Sequence, residues 1–577
     1  MKKRLVFLGV LFLSVWYVCA EDSDVVDNRV RSYVMPTRVV WTSANTASSK
    51  VEHAEVLLSK RYGQVPEGEF SRGSGCVLSN RGAVPAILLD FGREIHGGVQ
   101  IGVGAGKAKK QPRVRVRTGE SVAEAMAELG ERGACNDHAI RDGVIDLPWM
   151  GSRTIGDTGF RFVRLDVLDE GTIRFESVRA VSIMRPMRQL GSFRCSDERL
   201  NQIWKTAART LHLCCQDYIW DGIKRDRLVW QGDMHPEVMA AMHVFGTEAR
   251  DVIQRSLTYM RETTPANKWM NTMPAYTLWW IRCQRDLWFY TGDTDFLKAQ
   301  HQYLKDVFAN LDKYIGADNR CTLPGFLDWP TQHNQPAVKA GVHALMTWAY
   351  QDGAELARVL GDTELEAKCK DGEKRLRLYH PTPENSKAAA AMLSLSGLSD
   401  AATMNREIAK GGVKGVSTFY GYYMMEARAK AGDIQGGINT IRDYWGGMLD
   451  MGATSFWEDF NIAWTNNAFR IDELPVPGKK DIHGDFGDFC YVGFRHSLCH
   501  GWSSGPSAWL IEHVLGVKPI EPGCTVLEVN PCLDTLAWAE GDFPTPHGIV
   551  HIRCERQADG TTKTNVSKPN HVRIVQK

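Results

Sequence analysis

The 577-residue sequence lacks several features that would assign it at once to a class of protein. Its net charge is +1 at pH 7, so no charge excess indicates nucleic acid or an anionic membrane as a partner. After residue 20, no uninterrupted apolar run is long enough to span a membrane. Apolar residues make up 43% of the chain and charged residues 24%, which is ordinary for globular proteins. No feature of the sequence specifies an oligomeric state.

Cysteine motifs are also missing. The chain has 14 cysteines, and none of them forms a Cys-x-x-Cys pair, which excludes the commonest zinc and redox motifs. Without Cys19 the number is odd, so the cysteines cannot all pair with one another. Adjacent Cys214 and Cys215 lie in an apolar helical pattern, where buried free thiols are expected. A chain of this length does not need disulfides for stability.

Residues 1–20 have the pattern of a secretory signal. A basic segment (1–4) precedes an apolar one (5–18), and Ala20 ends a small-residue cleavage pattern. The apolar run is short for a membrane anchor. Acylation of Cys19 is the less favoured alternative. We therefore expect an exported protein, periplasmic or secreted, with no membrane span in its mature chain.

The spacing of apolar residues divides the rest of the chain into three regions. Between 21 and 190, glycine-rich turns separate short alternating runs, such as 99–103 and 160–165, which predicts an antiparallel β-sandwich. From 191 to 515, apolar residues recur at helical spacing and predict a dozen or so helices. Residues 516–577 alternate again and predict a second β domain.

The helical region begins after Ser196, which we predict to be the N-cap of its first helix. Further helical patterns cover 344–360 and 418–430. The loops between them are rich in Gly, Pro, Trp and Asp. A dozen helices in one domain suit a ring of paired helices, with aromatic loops lining a cleft at one end.

The segment 221–237 concentrates charge around Trp230. It contains four carboxylates and three cations, together with His235: Asp221, Asp226, Asp233 and Glu237; Lys224, Arg225 and Arg227. Such a mixture is costly to bury and unnecessary on a plain surface. It predicts a polar cleft with an aromatic wall, where carboxylate pKa values are pushed apart for acid–base chemistry. Cleavage of a glycosidic bond requires such a pair of carboxyl groups.

A second carboxylate candidate is Glu458, which follows the small-residue run 452–455 and Trp457. Inverting hydrolysis needs a protonated carboxyl and a carboxylate about 6.5–9.5 Å apart, so the two can be distant in sequence. The position of Glu458 suits a loop end that faces a cavity. It equally suits an acidic helix N-terminus without function.

Several segments resemble, in order, the α-L-rhamnosidases of glycoside hydrolase family 78. The most specific is D-x-x-x-R-[DE]-R-x-x-W-x-G-D at 221–233. Weaker similarities lie at 90–95, 117–121, 452–458, 497–502 and 538–548, so the resemblance spans about 85–550. It implies an (α/α)6 barrel catalytic domain flanked by N-terminal and C-terminal antiparallel β-sandwich domains. It also implies inverting release of terminal L-rhamnose from a carbohydrate substrate.

The resemblance also implies roles for individual residues. Asp226 takes the general-acid position and Glu458 the general-base position. The positions that match sugar-holding residues, or that suit a wall around a deoxy sugar with a methyl group, are Asp221, Arg225, Asp233, Trp230, Trp279, Trp280, Asp328, Trp329, Trp457 and His500. No cofactor is implied, and no ligand pattern indicates a structural calcium.

The chain departs from the commonest family pattern at Asp226, where most members have glutamate. A proton donor must come within about 2.6–3.2 Å of the leaving oxygen, and aspartate is one methylene shorter. Three hypotheses follow: the loop lies closer to the substrate, Asp233 or Glu237 donates instead, or catalysis is lost and the protein only binds sugar. Adjacent Arg225 and Arg227 should also lower the pKa of Asp226, whereas an acid needs a raised pKa.

Other interpretations stay open beside this one. The same fold could act on another terminal deoxy sugar or a uronic acid, or could bind glycans without cleaving them. A metal site at His235, His483 with Asp485, or His500 matches no zinc spacing, and two carboxyl groups need no metal. The glycines at 102–106 fit a hairpin turn better than a phosphate loop.

Overall fold

The computed structural model describes residues 26–59, 75–104 and 111–576. The predicted signal segment and residues 105–107 of the predicted turn lie outside these ranges. Among the helices that the structure describes, none combines the length and apolar character that crossing a bilayer requires.

The N-terminal region is built from one antiparallel strand network of nine strands, in the order β3-β4-β9-β5-β8-β6-β7, with β1 on β9 and β2 on β5. The strands are β1 Val30–Val34, β2 Arg38–Thr42, β3 Ser49–Glu52, β4 Cys76–Asn80, β5 Ala86–Val103, β6 Val114–Gly119, β7 Asp142–Ile145, β8 Gly151–Val167 and β9 Gly171–Met184. The predicted antiparallel strands at 99–103 and 160–165 are confirmed within β5 and β8.

The pairing of strand β5 with its neighbours is irregular in two places. Its pairing with β8 shifts register between Asp90 and Ile95 and again after Gly97. Gly97 has φ +146°, and a Cβ there would lie 1.9 Å from the carbonyl oxygen of Val181. Only glycine fits this close approach of two backbones. A short helix, α1 (Val122–Met126), follows β6 and packs against it.

The region that follows is helical. Its helices are α2 Glu198–Cys214, α3 Met234–Val244, α4 Arg250–Thr263, α5 Pro274–Thr291, α6 Thr294–Leu311, α7 Gln335–Leu360, α8 Thr363–Leu376, α9 Lys387–Leu395, α10 Ala401–Ala409, α11 Gly421–Lys430, α12 Ile434–Thr440, α13 Gly446–Asp450 and α14 Pro506–Trp509. The predicted helices at 344–360 and 418–430 correspond to α7 and α11, although α7 begins nine residues earlier, after its cap at Asn334.

Six of these helices contact one another in a closed ring. Helix α3 packs on α5, α5 on α7, α7 on α9, α9 on α11, α11 on α14, and α14 on α3. The others lie against this ring, for example α8 on α7 and α10 on α9. All eleven side chains of α3 are buried, as expected for a helix enclosed by neighbours.

The prediction that Ser196 caps α2 is wrong. The cap is Asp197, whose side chain accepts hydrogen bonds from the backbone N–H groups of Arg199 and Leu200. Ser196 instead accepts a hydrogen bond from the backbone N–H of Ala537, near the C-terminus. Serine and aspartate both cap helices well, so the local sequence could not distinguish Ser196 from Asp197 as the cap. The contact of Ser196 with Ala537, 341 positions away, distinguishes them.

The C-terminal region contains two further sheets. The strands outside the first region are β10 Ser192–Cys195, β11 Ala468–Phe469, β12 Lys480–Asp481, β13 Val517–Pro519, β14 Val526–Val529, β15 Trp538–Thr545, β16 Gly548–Arg556, β17 Thr562–Ser567 and β18 Arg573–Val575. Strand β10 precedes the helices but pairs with β15, in the sheet β10-β15-β16-β17.

The expectation of purely antiparallel pairing fails for the other C-terminal sheet. Its order is β13-β14-β18, and β14 pairs with β18 in parallel. Between β14 and β18 the chain forms the antiparallel strands β15, β16 and β17. Strand β18 then lies beside β14 and runs in the same direction.

The cysteines of the described ranges form no disulfide, and most of them are buried. Burial raises the pKa of the Cys214 thiol well above its ordinary value, and that of Cys215 as well. The expectation of buried free thiols at this pair is confirmed.

Candidate active site

A cavity of ≈ 200 Å³ lies among loop segments that are far apart in sequence. It contains most of the residues predicted from the sequence: Asp221, Arg225, Asp226, Trp230, Asp233, Trp329, Glu458 and His500. Backbone contacts bind the segments to one another. The Gly501 N–H donates to the Asp221 carbonyl (2.7 Å), and the His500 N–H donates to the Phe456 carbonyl (2.9 Å).

The first segment is a loop between α2 and α3 that closes on itself. The Asp221 carboxylate accepts from the Leu228 N–H at 2.9 Å, and the Asp221 N–H donates to the Leu228 carbonyl at 3.0 Å. Within the loop, Asp226 and Arg227 both have φ +55°. Aspartate tolerates this left-handed conformation better than most residues, and it occurs at turns and functional sites.

Lys224 fixes the same loop to the N-terminal region. Its ammonium lies 3.0 Å from Glu120 and 3.2 Å from Glu124, and it donates to the His496 carbonyl at 2.6 Å. Burial alone would lower the pKa of Lys224, but the two glutamates raise it. Burial raises the pKa of Glu120 to about 7. The cation therefore stays charged inside the protein and holds the loop between the two regions.

The arginines on either side of Asp226 point in different directions. Arg225 extends to the Glu458 carboxylate through Nη2, and its Nε lies 3.9 Å from Asp226 Oδ1. Arg227 extends the other way, to the carbonyls of Asp157 (2.9 Å) and His138 (2.5 Å). The side chains thus diverge, as the general-acid hypothesis requires.

Asp226 itself faces the cavity and is 19% exposed. Trp230 Nε1 donates to its Oδ2 at 3.1 Å. On the other oxygen, His138 Nε2 lies 3.3 Å from Oδ1. Both carboxyl oxygens are therefore oriented by the protein.

Glu458 is 2% exposed and is held by a cation and a backbone donor. Oε1 pairs with Arg225 Nη2, and Oε2 accepts from the Ser497 N–H at 3.1 Å. Burial opposes the charge of Arg225, but Glu458 and Asp226 raise the pKa of its guanidinium above the ordinary value. The guanidinium of Arg225 thus gives the buried Glu458 carboxylate a partner of opposite charge.

Asp221 and Asp233 are buried, and within the described ranges no lysine or arginine lies in hydrogen-bond contact with either carboxyl. Burial, with the charge of Asp226 beside it, raises the pKa of Asp221 well above its usual range, and burial does the same for Asp233. Asp233 lies 3.3 Å from the Tyr276 hydroxyl and 3.1 Å from His500 Nε2. Burial lowers the pKa of His500 to about 4, so its imidazole is neutral at neutral pH.

Four predicted positions do not line the cavity. Trp280 is buried and donates to the Leu257 carbonyl, Trp457 is buried beside Phe460, and Asp328 accepts from Ser417 on the wall of a neighbouring groove. Trp279 also lies elsewhere, stacked on Tyr423. Glu237, an alternative donor, is 1% exposed and does not reach the cavity, whereas Asp233 does.

Sequence reasoning missed several residues that line the cavity: Met273, Tyr276, Cys490, Tyr491, Arg495 and Trp502. Trp502 stands two residues after His500 in the same motif, so the motif could have indicated it. The others come from separate loops or helices and carry no local signal.

The stretch 501–505 has the Gly-x-Ser-x-Gly spacing of a nucleophile elbow. Its central Ser503 is fully buried in a short 3-10 helix and donates to the His500 carbonyl at 2.7 Å. An elbow requires an exposed serine, so this serine is structural.

Two groups of described side chains have metal-ligand spacing: Glu120, Glu124 and His483; Glu426, Glu512 and His513. Neither group includes a residue of the cavity. The Lys224 ammonium pairs with both glutamates of the first group, and Lys518 lies 3.7 Å from Glu512 in the second. A cation of the protein itself therefore lies beside each group.

Comparisons with known proteins agree with the motifs. Residues 188–380 match the family model described as bacterial alpha-L-rhamnosidase 6 hairpin glycosidase domain. An α-L-rhamnosidase of Alteromonas sp. (strain LOR) is 28% identical over 141 residues, which is 23% of this chain and 13% of that protein. The family match includes the loop of Asp226 and ends before Glu458.

Solved structures share the fold over most of the chain. A GH78 family rhamnosidase of Bacillus sp. GL1 has a TM-score of 0.74 at 20% identity, over 91% of this chain and 55% of that chain. A Klebsiella oxytoca rhamnosidase with rhamnose bound has a TM-score of 0.66 at 18% identity, over 84% of this chain and 96% of that chain.

The chain thus spans about half of the first of these structures and a small part of the curated relative. Motifs, family match and fold agree, and they confirm the resemblance of this chain to the bacterial α-L-rhamnosidases of glycoside hydrolase family 78.

Proposed function

We propose that this protein is a glycoside hydrolase that releases terminal α-L-rhamnose with inversion, with Asp226 as general acid and Glu458 as general base. The observation that carries the proposal is the position of Arg225. Its guanidinium contacts Glu458 and lies 3.9 Å from Asp226, so the two candidate carboxyl groups face one cavity. The printed names of the similar rhamnosidases support the choice of sugar.

In the proposed reaction, Asp226 gives its proton to the glycosidic oxygen while the bond to the anomeric carbon breaks. Glu458 removes a proton from a water molecule that attacks that carbon from the opposite face. The Ser497 N–H and the Arg225 guanidinium orient Glu458 for this task. The two carboxyl groups perform both proton transfers, so the chemistry requires neither a metal nor a cofactor.

The other carboxyls are suited to hold the sugar. Burial raises the pKa values of Asp221 and Asp233, which favours their protonated forms, and a protonated carboxyl donates a hydrogen bond to a sugar hydroxyl. His500, neutral at neutral pH, offers one ring nitrogen to the site. The raised pKa values of the two aspartates also limit the negative charge around Glu458.

An aromatic wall completes the pocket: Trp230, Tyr276, Trp329, Tyr491 and Trp502. Aromatic faces pack against the apolar side of a sugar ring and against a methyl group. The ≈ 200 Å³ volume lies below the roughly 300–1,000 Å³ of pockets for drug-sized ligands, which favours one terminal ring over an extended chain.

For the architecture, we propose that the ring of α3, α5, α7, α9, α11 and α14 is the inner layer of an (α/α)6 barrel. The domain division at 190 and 515, the two β-sandwiches and export through residues 1–20 belong to the same proposal. Sequencing the N-terminus of protein recovered from the periplasm or medium tests export, with Glu21 as the expected first residue.

A panel of 4-nitrophenyl glycosides tests the substrate. The proposal expects release from the α-L-rhamnoside, and none from the α-L-fucoside or the β-D-glucuronide. Preference for another sugar would redirect the proposal to that sugar. Saturable rhamnose binding without product would favour a glycan-binding protein, the alternative that the short side chain of Asp226 keeps open.

A further inference from the structure

The N-terminal β region contributes a histidine to the candidate acid. His138 lies in the loop between the short helix Glu131–Gly133 and β7. Its Nε2 is 3.3 Å from Asp226 Oδ1, and its carbonyl accepts from Arg227 at 2.5 Å. The loop is therefore fixed to both Asp226 and its neighbour, across the boundary between the sheet and the helices.

The surroundings of His138 suit a group that gains and loses a proton. Around Nε2 lie Arg495 Nη2 at 3.3 Å and Asp137 Oδ2 at 3.4 Å, in addition to Asp226. Arg495 also pairs with Asp137 at 3.2 Å. A neutral imidazole accepts from Arg495 through Nε2, whereas an imidazolium donates from it to a carboxylate. The side chain is 27% exposed, so it exchanges protons with water.

We propose that His138 is a positioning residue that orients the short Asp226 side chain and returns a proton to it after each turnover. This inference rests on the proposed function. When Asp226 has protonated the leaving oxygen, it remains as a carboxylate. The imidazolium N–H bond of His138 then breaks, its proton passes to Asp226 Oδ1, and the neutral ring takes a proton from solvent.

The short side chain of Asp226 explains why this chain would need such a partner. Aspartate is one methylene shorter than the glutamate of the commonest pattern and swings through a smaller arc. Trp230 holds one oxygen and His138 faces the other, so the carboxyl group has a single orientation.

The dependence on the leaving group tests the proposal. His138→Gln should lower kcat/KM for methyl α-L-rhamnoside, whose leaving group needs protonation, by about 10-fold or more. For 2,4-dinitrophenyl α-L-rhamnoside, which leaves without a proton, the loss should stay within about 3-fold. Equal losses on both substrates, or no loss on either, would overturn the proposal, because a merely structural defect affects both alike.

Two further variants sharpen this test. His53→Gln changes an exposed histidine of the same region, 60% exposed in its side chain, and should change neither rate. In an Asp226→Glu background, His138→Gln should cost less than it does alone, because the longer side chain depends less on its partner. An equal cost in both backgrounds contradicts the orienting role.

If the wild-type protein cleaves neither rhamnoside, the proposed function fails and the contact remains testable. NMR titration of the His138 imidazole, assigned by its loss in His138→Gln, compares the wild type with Asp226→Asn. A lower titration midpoint in Asp226→Asn supports the coupling, since a neighbouring carboxylate stabilises the imidazolium. An unchanged midpoint overturns it.

Discussion

Arg225 contacts Glu458, a residue 233 positions further along the chain, through Nη2 of its guanidinium. The same guanidinium lies 3.9 Å from Asp226, and its Nη1 donates to the Cys490 carbonyl at 2.9 Å. One side chain of the loop after α2 thus orients a carboxylate from another loop. The candidate acid and base belong to a single polar unit.

Neutralising either carboxyl group should remove most activity. Asp226→Asn cannot donate the proton and Glu458→Gln cannot activate water, so each should lower kcat/KM for methyl α-L-rhamnoside by about 10²–10⁴-fold. Asp459→Asn is a matched control, because Asp459 adjoins Glu458 but does not line the cavity. Full activity in Asp226→Asn or Glu458→Gln would exclude that residue from its role, and a similar loss in the control would indicate general damage.

Arg225 should contribute to catalysis through both its charge and its geometry. Arg225→Gln removes the cation that contacts and orients Glu458, so it should lower kcat for methyl α-L-rhamnoside by about 10²-fold or more. Arg225→Lys keeps the charge but cannot reach Glu458 and Cys490 in the same fork geometry, so it should recover only part of that loss. A wild-type kcat in Arg225→Gln would contradict the assigned contact.

Glu237 should affect stability and leave catalysis intact. Burial raises the pKa of its carboxyl well above the ordinary 4.5, and Asp233 and Asp221 add to the shift. The folded state therefore binds this proton more tightly than the unfolded state, and stability falls as pH rises above about 4.5. Glu237→Gln has no proton to lose, so its Tm relative to wild type should increase between pH 5 and pH 8.

Activity of the same variant tests the alternative proton donor. Glu237 does not line the cavity, so Glu237→Gln should retain kcat/KM within about 3-fold. A loss as large as that of Asp226→Asn would assign the acid to Glu237. A Tm difference that does not change with pH would instead contradict its buried, protonated state.

The aromatic wall should contribute mainly to binding. Trp329 lines the cavity and contacts Phe326 and Tyr491 edge-on. Trp329→Ala should raise KM by about 10-fold and change kcat little, because ring packing holds the sugar equally in the ground and transition states. Trp280→Ala tests stability instead. Because Trp280 is buried away from the cavity, this variant should lower Tm. A kcat loss without a KM change in Trp329→Ala would assign that ring to the reaction step.

Local sequence patterns predicted what depends on local structure. The alternating runs at 99–103 and 160–165 are strands because each has a buried face. The helical pattern at 344–360 identified most of α7. The charged loop at 221–233 was recognisable because its carboxylates and cations have no reason to cluster outside a site. Its motif placed Asp226 and Arg225 in the cavity.

Contacts between distant segments were beyond such patterns. Helix α5 is buried nearly all round, so its sequence has no polar face to tell which side Trp279 and Trp280 occupy. The divergence of Arg225 and Arg227 follows from the left-handed backbone at 226–227 and from partners in other regions. His138 precedes Asp226 by 88 positions and carries no local motif, so only the tertiary structure brings the two together.

The stereochemistry of the product tests the central claim most directly. Proton NMR of the purified protein acting on 4-nitrophenyl α-L-rhamnoside should show β-L-rhamnose as the first product, followed by slow mutarotation to the α anomer. The same spectra of Glu458→Gln should show no early product, whereas Asp226→Asn should release rhamnose more slowly than the wild type, because 4-nitrophenolate needs little protonation to leave. If α-L-rhamnose appears first, or if the wild-type protein releases no rhamnose on long incubation, the two-carboxylate inverting site proposed here is contradicted.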